Sequence, residues 1–151
     1  MAPALPQIHD EVFLDERRKI RQRLRRLRKF ASAESGFPSA LGSLVACADE
    51  IEGLLPVLSE HYAHAERIYF SAWDPDDERG EWRRKGEEIL AEHQPLIREL
   101  RALHDSARRV IDALRAGQSA GSLAEALKAY LSACVQDLVE HEARESAFFE
   151  S

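Results

Sequence analysis

The stretch from 127 to 148, LKAYLSACVQDLVEHEARESAF, sets Leu127, Tyr130, Cys134, Leu138, His141, Glu145 and Phe148 at intervals of three and four. Residues so spaced share one face of a helix, so the His141 imidazole and the Glu145 carboxylate turn inward with the apolar side chains. A buried carboxylate without a partner is costly, and it is tolerated when it is paired or holds a cation. The pattern predicts a long helix that carries a metal-ligand pair into a core.

The same rhythm recurs upstream. Ile51, Leu54, Leu58, His61, Ala65, Ile68 and Ala72 form a second stripe, and Gly86, Ile89 (or Leu90), His93, Ile97 and Leu100 a third, each with one inward histidine. A fourth, Phe13, Arg17, Ile20, Leu24, Leu27 and Ala31, turns a guanidinium inward. Turn-forming residues divide the chain at Glu34-Ser35-Gly36-Phe37-Pro38, at Asp74-Pro75-Asp76-Asp77 and from Gly117 to Ser122. No segment alternates like a strand. The expected fold is all-α: one domain over 1–151, an up-down-up-down antiparallel four-helix bundle with helices near 10–33, 38–73, 79–116 and 122–149. Pro56 and Pro95 fall inside two of these helices, where each removes a backbone hydrogen bond and either bends the axis or marks a helix start. Counting from the turns brings His61, His93 and His141 within a turn or two of one level, whereas His104, 11 residues beyond His93, is too distant to share their site. His9 precedes the regular stripe and reads as a helix-entrance residue. Tyr62, Tyr69, Phe70, Trp73 and Phe149 gather near the same end, with Tyr62 placed to support the site.

The chain has 151 residues, 44% hydrophobic and 32% charged, with a net charge of −6. It can bury a core without disulfides or metal staples. No apolar run approaches the roughly 18 residues of a membrane span, and the N-terminus shows no signal-peptide core, so the expected location is the cytoplasm and no membrane partner is expected. Cys47 and Cys134 lie on apolar stripes at different heights and read as buried thiols, without a disulfide between them. There is no nucleophile set beside a base, no glycine-rich phosphate loop and no Cys-x-x-Cys-His haem attachment.

Three segments resemble the hemerythrin-like, HHE cation-binding domain: Leu54-Leu55-Pro56-x-Leu58-x-x-His61-Tyr62, Glu92-His93 followed by Leu96-Ile97-Arg98, and Leu138-x-x-His141-x-x-x-Glu145. The resemblance covers essentially the whole chain. It implies a four-helix bundle holding non-haem iron, usually as a dinuclear centre, that binds, senses or detoxifies oxygen, nitric oxide or peroxide. Carried onto this sequence, the family's first-helix histidine falls on Arg17, its second-helix carboxylate on Ala65 with acidic Glu66 one step away, and a further third-helix histidine on Ile89 or Ile97. His61, His93, His141 and Glu145 remain. That set favours a mononuclear over a dinuclear site, with iron first and zinc, manganese or cobalt compatible with the same donors. His64, three residues after His61, is an additional ligand if the helix rotates or bulges, and Glu66 is a solvated or supporting residue.

Two other functions stay open. Arg17 could pair with Glu145, giving a metal-free bundle that acts as an interaction or regulatory module, or it could stabilise a bound anion. Alternatively, inward histidines could serve a haem or another cofactor, and the sequence leaves enzymatic turnover undecided. Positions 17–29 hold nine basic residues and no acidic one, against 12 basic and 27 acidic residues elsewhere. Such a face could meet an acidic partner or a second copy of the chain in a homo-oligomer. No recognition or base-stacking motif accompanies it, which argues against nucleic acid.

Overall fold

The computed structural model describes residues 11–32, 40–72 and 80–150, and the regular structure among them is entirely helical. Five helices follow in order: α1 Glu11–Phe30, α2 Leu41–Ala72, α3 Gly80–Ala91, α4 His93–Arg115 and α5 Gly121–Glu150. His9, Trp73 and the turns expected at 34–38 and 74–77 lie outside the described residues.

The two internal prolines have different outcomes. Pro56 sits on the exposed side of an uninterrupted α2, where water can satisfy the carbonyl left without a donor. Pro95 divides the expected third helix. Its missing N–H cannot reach the carbonyl of Ala91, and the chain there tightens so that Glu92 N–H donates to the Ile89 carbonyl at 3.1 Å. Glu92 keeps helical dihedrals, φ −76° and ψ −21°, so α4 begins at His93 directly from the end of α3. At the other end of α4, Gly117 at φ 74° lets Gln118 N–H reach the Ala113 carbonyl at 2.9 Å and Gly117 N–H reach that of Leu114 at 3.0 Å, a Schellman closure that turns the chain into α5.

Cross-helix bonds fix the registers. On α1 and α2, Glu16 meets His61 and Arg23 meets Glu50. On α1 and α5, Arg17 meets Glu150 and Arg21 meets Glu142. On α4 and α5, Glu99 accepts from Tyr130. α2 packs most extensively against α4 and α1, and α1 against α5 is the sparsest contact between neighbouring long helices.

The apolar interior is split in two. The larger cluster runs from Leu27, Leu44 and Val110 at the far end up to Ile20, Leu58, Tyr62, Leu96 and Leu138. The smaller contains Phe13, Ala65, Tyr69, Trp82 and Phe149. Between them along α1, α2, α4 and α5 lie Arg17, His61, His93, His141 and Glu145, which are the buried polar residues among those described. On α5 the buried face carries Leu131 and Phe149, while Tyr130 and Phe148 of the expected stripe are half-buried beside it. Phe70, expected with the aromatic group, is 62% exposed.

Gly86 makes the smaller cluster possible. A Cβ at this position would collide with the Tyr69 ring and come within 3.0 Å of Phe148. Gly86→Ala should therefore cost about 1–3 kcal/mol in thermal or denaturant unfolding, whereas Gly42→Ala, where a Cβ meets nothing within 4 Å, should not destabilise. Equal stability of the two variants would mean that α3 does not pack tightly on Tyr69.

Candidate metal centre

The polar layer is organised around one carboxylate. Glu145, 1% exposed, lies on α5 with His61 Nε2 at 2.6 Å from Oε1, and with His141 Nε2 at 3.0 Å and His93 Nε2 at 3.3 Å from Oε2. Three helices thus aim an imidazole at the same group. Helical spacing explains the His141–Glu145 contact, one turn apart on α5. The others depend on how α2 and α4 are set against α5.

Each imidazole also faces outward to a second carboxylate. His61 Nδ1 lies 3.3 Å from Glu16 Oε1, His93 Nδ1 lies 3.3 Å from Glu66 Oε1, and His141 Nδ1 makes a short contact with Glu92 Oε2. Arg144 holds the other oxygen of Glu92 at 2.8 Å. A carboxylate on the outer nitrogen of an imidazole fixes the ring's orientation and raises its basicity, the arrangement that supports histidines bound to metal ions. Glu66, read from the sequence as a solvated or supporting residue, is the outer partner of His93. Glu16 and Glu92 were missed as partners, although each adjoins in sequence a residue on an inward stripe, Arg17 and His93.

The four expected donors meet at the two oxygens of Glu145. His93, His141 and Glu145 can each offer one atom with all three within 4.8 Å of one another. His61 stands across the carboxylate, on Oε1. His64 does not enter the layer, because its Nδ1 is turned to Glu16 Oε1 at 2.9 Å. His104 is remote from the cluster, its Nε2 3.8 Å from Glu52.

The Arg17–Glu145 pair of the alternative, metal-free reading is not formed; Arg17 pairs elsewhere. Arg17 is 2% exposed, and its Nη1 donates to Glu150 Oε1 at 2.8 Å while Nε lies 3.5 Å from Glu142 Oε1. Its guanidinium carbon lies 5.7 Å from the centre of the Phe13 ring. With three imidazoles around it, Glu145 has no need of the guanidinium, and the carboxylates of Glu142 and Glu150 lie closer to hand. The ion-pair basis of a metal-free core therefore does not form.

Aromatic rings hold the imidazoles in place. Tyr62 lies flat on His93, ring centres 4.0 Å apart and planes 1° apart, and meets His141 edge-on at 5.2 Å. Burial and then the charge of Glu145 push its phenol well above the usual 10, so the hydroxyl keeps its proton. Phe13 stacks on His61 at 4.6 Å, another neighbour that the sequence placed on a stripe without linking it to the site. A cavity of about 10 Å³ adjoins His61, Tyr62, His141 and Glu145 and is lined also by Ile20, Leu24, Leu58, Leu138 and Glu142. That is about the room one water-sized guest needs, and far below what a haem requires. Cys47 and Cys134 are free and buried, their thiols pushed up to about 12 chiefly by burial, with no part in this layer.

The donors are chemically suited to a divalent transition metal. Two or three imidazole nitrogens and a carboxylate fit iron, zinc or manganese. The layer sets Glu145, Glu16, Glu66 and Glu92 around three imidazoles, and a dication would relieve that concentration of negative charge.

A helical bundle with a buried histidine–carboxylate layer of this composition defines a class of cation-binding scaffolds. The chain belongs to the hemerythrin family: the family model described as the hemerythrin HHE cation-binding domain matches residues 9–149. No curated protein and no solved structure matches the chain.

Without metal, the layer makes stability depend on pH in two directions. Burial alone would raise the Glu145 carboxyl, but hydrogen bonds from His141, His61 and His93 outweigh it and hold the group well below 4.5. Its contribution is complete above that value and is lost as pH falls. Burial opposes the His141 imidazolium, but Glu145 and Glu92 outweigh it and raise the group above 6.5. Its contribution is complete below 6.5 and is lost as pH rises through the raised value. Metal-stripped protein should accordingly melt at a higher temperature near pH 5.5 than near pH 8.5, by about 2–4 °C for each kcal/mol lost. His141→Gln should flatten this alkaline decline. A melting temperature that climbs steadily between those two conditions would contradict the assignment.

Proposed function

We propose that this protein holds one non-haem metal ion, iron in the first instance, in the polar layer of an up-down-up-down antiparallel bundle, and that the metal binds or senses a small ligand such as oxygen, nitric oxide or peroxide. The carrying observation is the buried triad of His93, His141 and Glu145, each with an atom within 4.8 Å of the others. These three residues would hold the ion, and His61 would join them once the Glu145 carboxylate turns from Oε1 contact with it. The metal would supply open coordination positions and, if iron, one-electron chemistry. Glu16, Glu66 and Glu92 orient the imidazoles, and Tyr62 and Phe13 wall the site with aromatic faces. The apolar wall of Ile20, Leu24, Leu58 and Leu138 keeps bulk water out, and the small adjoining cavity limits the guest to a few atoms.

The registers that pair Glu16 with His61, Arg17 with Glu150 and Glu99 with Tyr130 support antiparallel neighbours. No helix among the described residues is long and apolar enough to cross a membrane, and both cysteines are free thiols, which accords with a cytoplasmic setting.

Protein purified without chelators or affinity metals should contain about one equivalent of iron by plasma mass spectrometry, and His141→Ala should contain almost none. Uptake should release protons and strengthen as pH rises past 6.5, because the His141 imidazolium must deprotonate to bind. Glu92→Gln, which weakens the support of His141 while leaving the ligands in place, should lower metal affinity by about 10- to 100-fold. About two equivalents would overturn the mononuclear reading and give Glu145 a bridging role. No metal after anaerobic iron loading would overturn the proposal altogether.

A further inference from the structure

The outer side of each imidazole meets an acidic side chain, Glu16, Glu66 or Glu92, and the nearby cations Arg17 and Arg144 are held by Glu150 and Glu92, so a negatively charged ligand finds little net attraction from those directions. One direction differs. A surface pocket of about 200 Å³ lies over the sparse α1–α5 contact and is walled by Arg21, Arg25 and Arg28 on α1 with Val139 on α5. Its remaining lining residues, Leu24 and Glu142, also line the cavity beside His61, His141 and Glu145. The two spaces therefore share these two side chains as lining. Arg21 is bonded there, Nε donating to Glu142 Oε1 at 2.9 Å and Nη2 to Ser146 Oγ at 3.4 Å. Arg25 and Arg28 are exposed on the same face, one and two turns further along α1.

We propose that the α1–α5 seam is the route by which ligand reaches the polar layer, and that Arg21, Arg25 and Arg28 make it a funnel for small monovalent anions, with Leu24 and the Arg21–Glu142 pair as its inner gate. The inference rests on the metal-site reading for its destination, but the funnel itself consists of residues outside that site. Three guanidinium groups on one face would raise the local concentration of an anion, and the low-dielectric wall of Leu24 and Val139 would focus the field. A neutral gas would gain nothing from the charges but would use the same gap. The gate opens by a side-chain movement, since Arg21 can exchange Glu142 for an incoming anion without breaking backbone structure.

The test uses azide as the anionic probe and nitric oxide as the neutral one, in stopped-flow measurements on iron-loaded protein. Arg25→Glu/Arg28→Glu should slow azide association about tenfold at low ionic strength, with the difference fading near 0.5 M salt, and should leave nitric oxide association unchanged. Arg101→Glu/Arg108→Glu, an equal charge reversal on α4, should have little effect on either. Leu24→Phe should slow both probes; because Leu24 is buried, its fold is checked by circular dichroism, and the exposed arginine variants decide the matter if it fails to fold. A second readout needs no metal. In the metal-free protein, azide titration followed by NMR should shift the side-chain N–H resonances of Arg21, Arg25 and Arg28 ahead of those of the other arginines. Unchanged azide rates in Arg25→Glu/Arg28→Glu, or uniform shifts across all arginines, would overturn the funnel. Failure to load iron would overturn the metal reading alone, and the NMR titration would still decide the funnel.

Discussion

The structure depends on the need to satisfy one carboxylate in the interior of a helical bundle. Glu145 is buried where a charge is tolerated only with close partners, and it has three, one from each of α2, α4 and α5. Because each imidazole is also tied at its outer nitrogen, to α1, to α2 or to Glu92 at the α3–α4 junction, the bonds act as braces across the bundle. The apolar clusters above and below are held by non-directional contacts. The layer adds directional bonds, which tie the heights at which the helices meet.

The α3–α4 junction illustrates how local and long-range requirements combine. Pro95 interrupts the ladder, and the tightened turn before it places Glu92 outside His141 while the next residue, His93, points inward to Glu145. Two adjacent residues thereby serve two different histidine contacts on opposite sides of the layer. An uninterrupted helix would also direct neighbours about 100° apart, but the exposed Pro95 fixes where the new helix begins.

α1 takes a different part from the other helices. It contributes no imidazole to the layer. Instead it supplies Glu16 to His61 and His64, the Phe13 ring to the face of His61, and Arg17 to the carboxylates of Glu142 and Glu150 near the end of α5. Its hold on α5 thus combines these ion pairs with apolar contact, the Phe13 ring meeting Phe149 edge-on at 5.6 Å, across the sparsest of the long-helix seams.

The helical stripes were legible because burial imposes a period of 3.6 residues, and the sequence alone placed Arg17, His61, His93, His141 and Glu145 on inward faces, where the structure buries them. It was less reliable at stripe ends, where Leu131 and Phe149 replace Tyr130 and Phe148, since a few degrees of error per residue accumulate over a long helix. What only the tertiary structure decided was pairing. That Arg17 meets Glu142 and Glu150 rather than Glu145, that His64 turns to Glu16, and that His61 stands across the carboxylate from His93 and His141 depend on the axial offset and rotation of one helix against another. Periodicity fixes which way a side chain faces within its own helix. The identity of the atom it meets is set by contacts between segments far apart in the chain, and no local pattern encodes those distances.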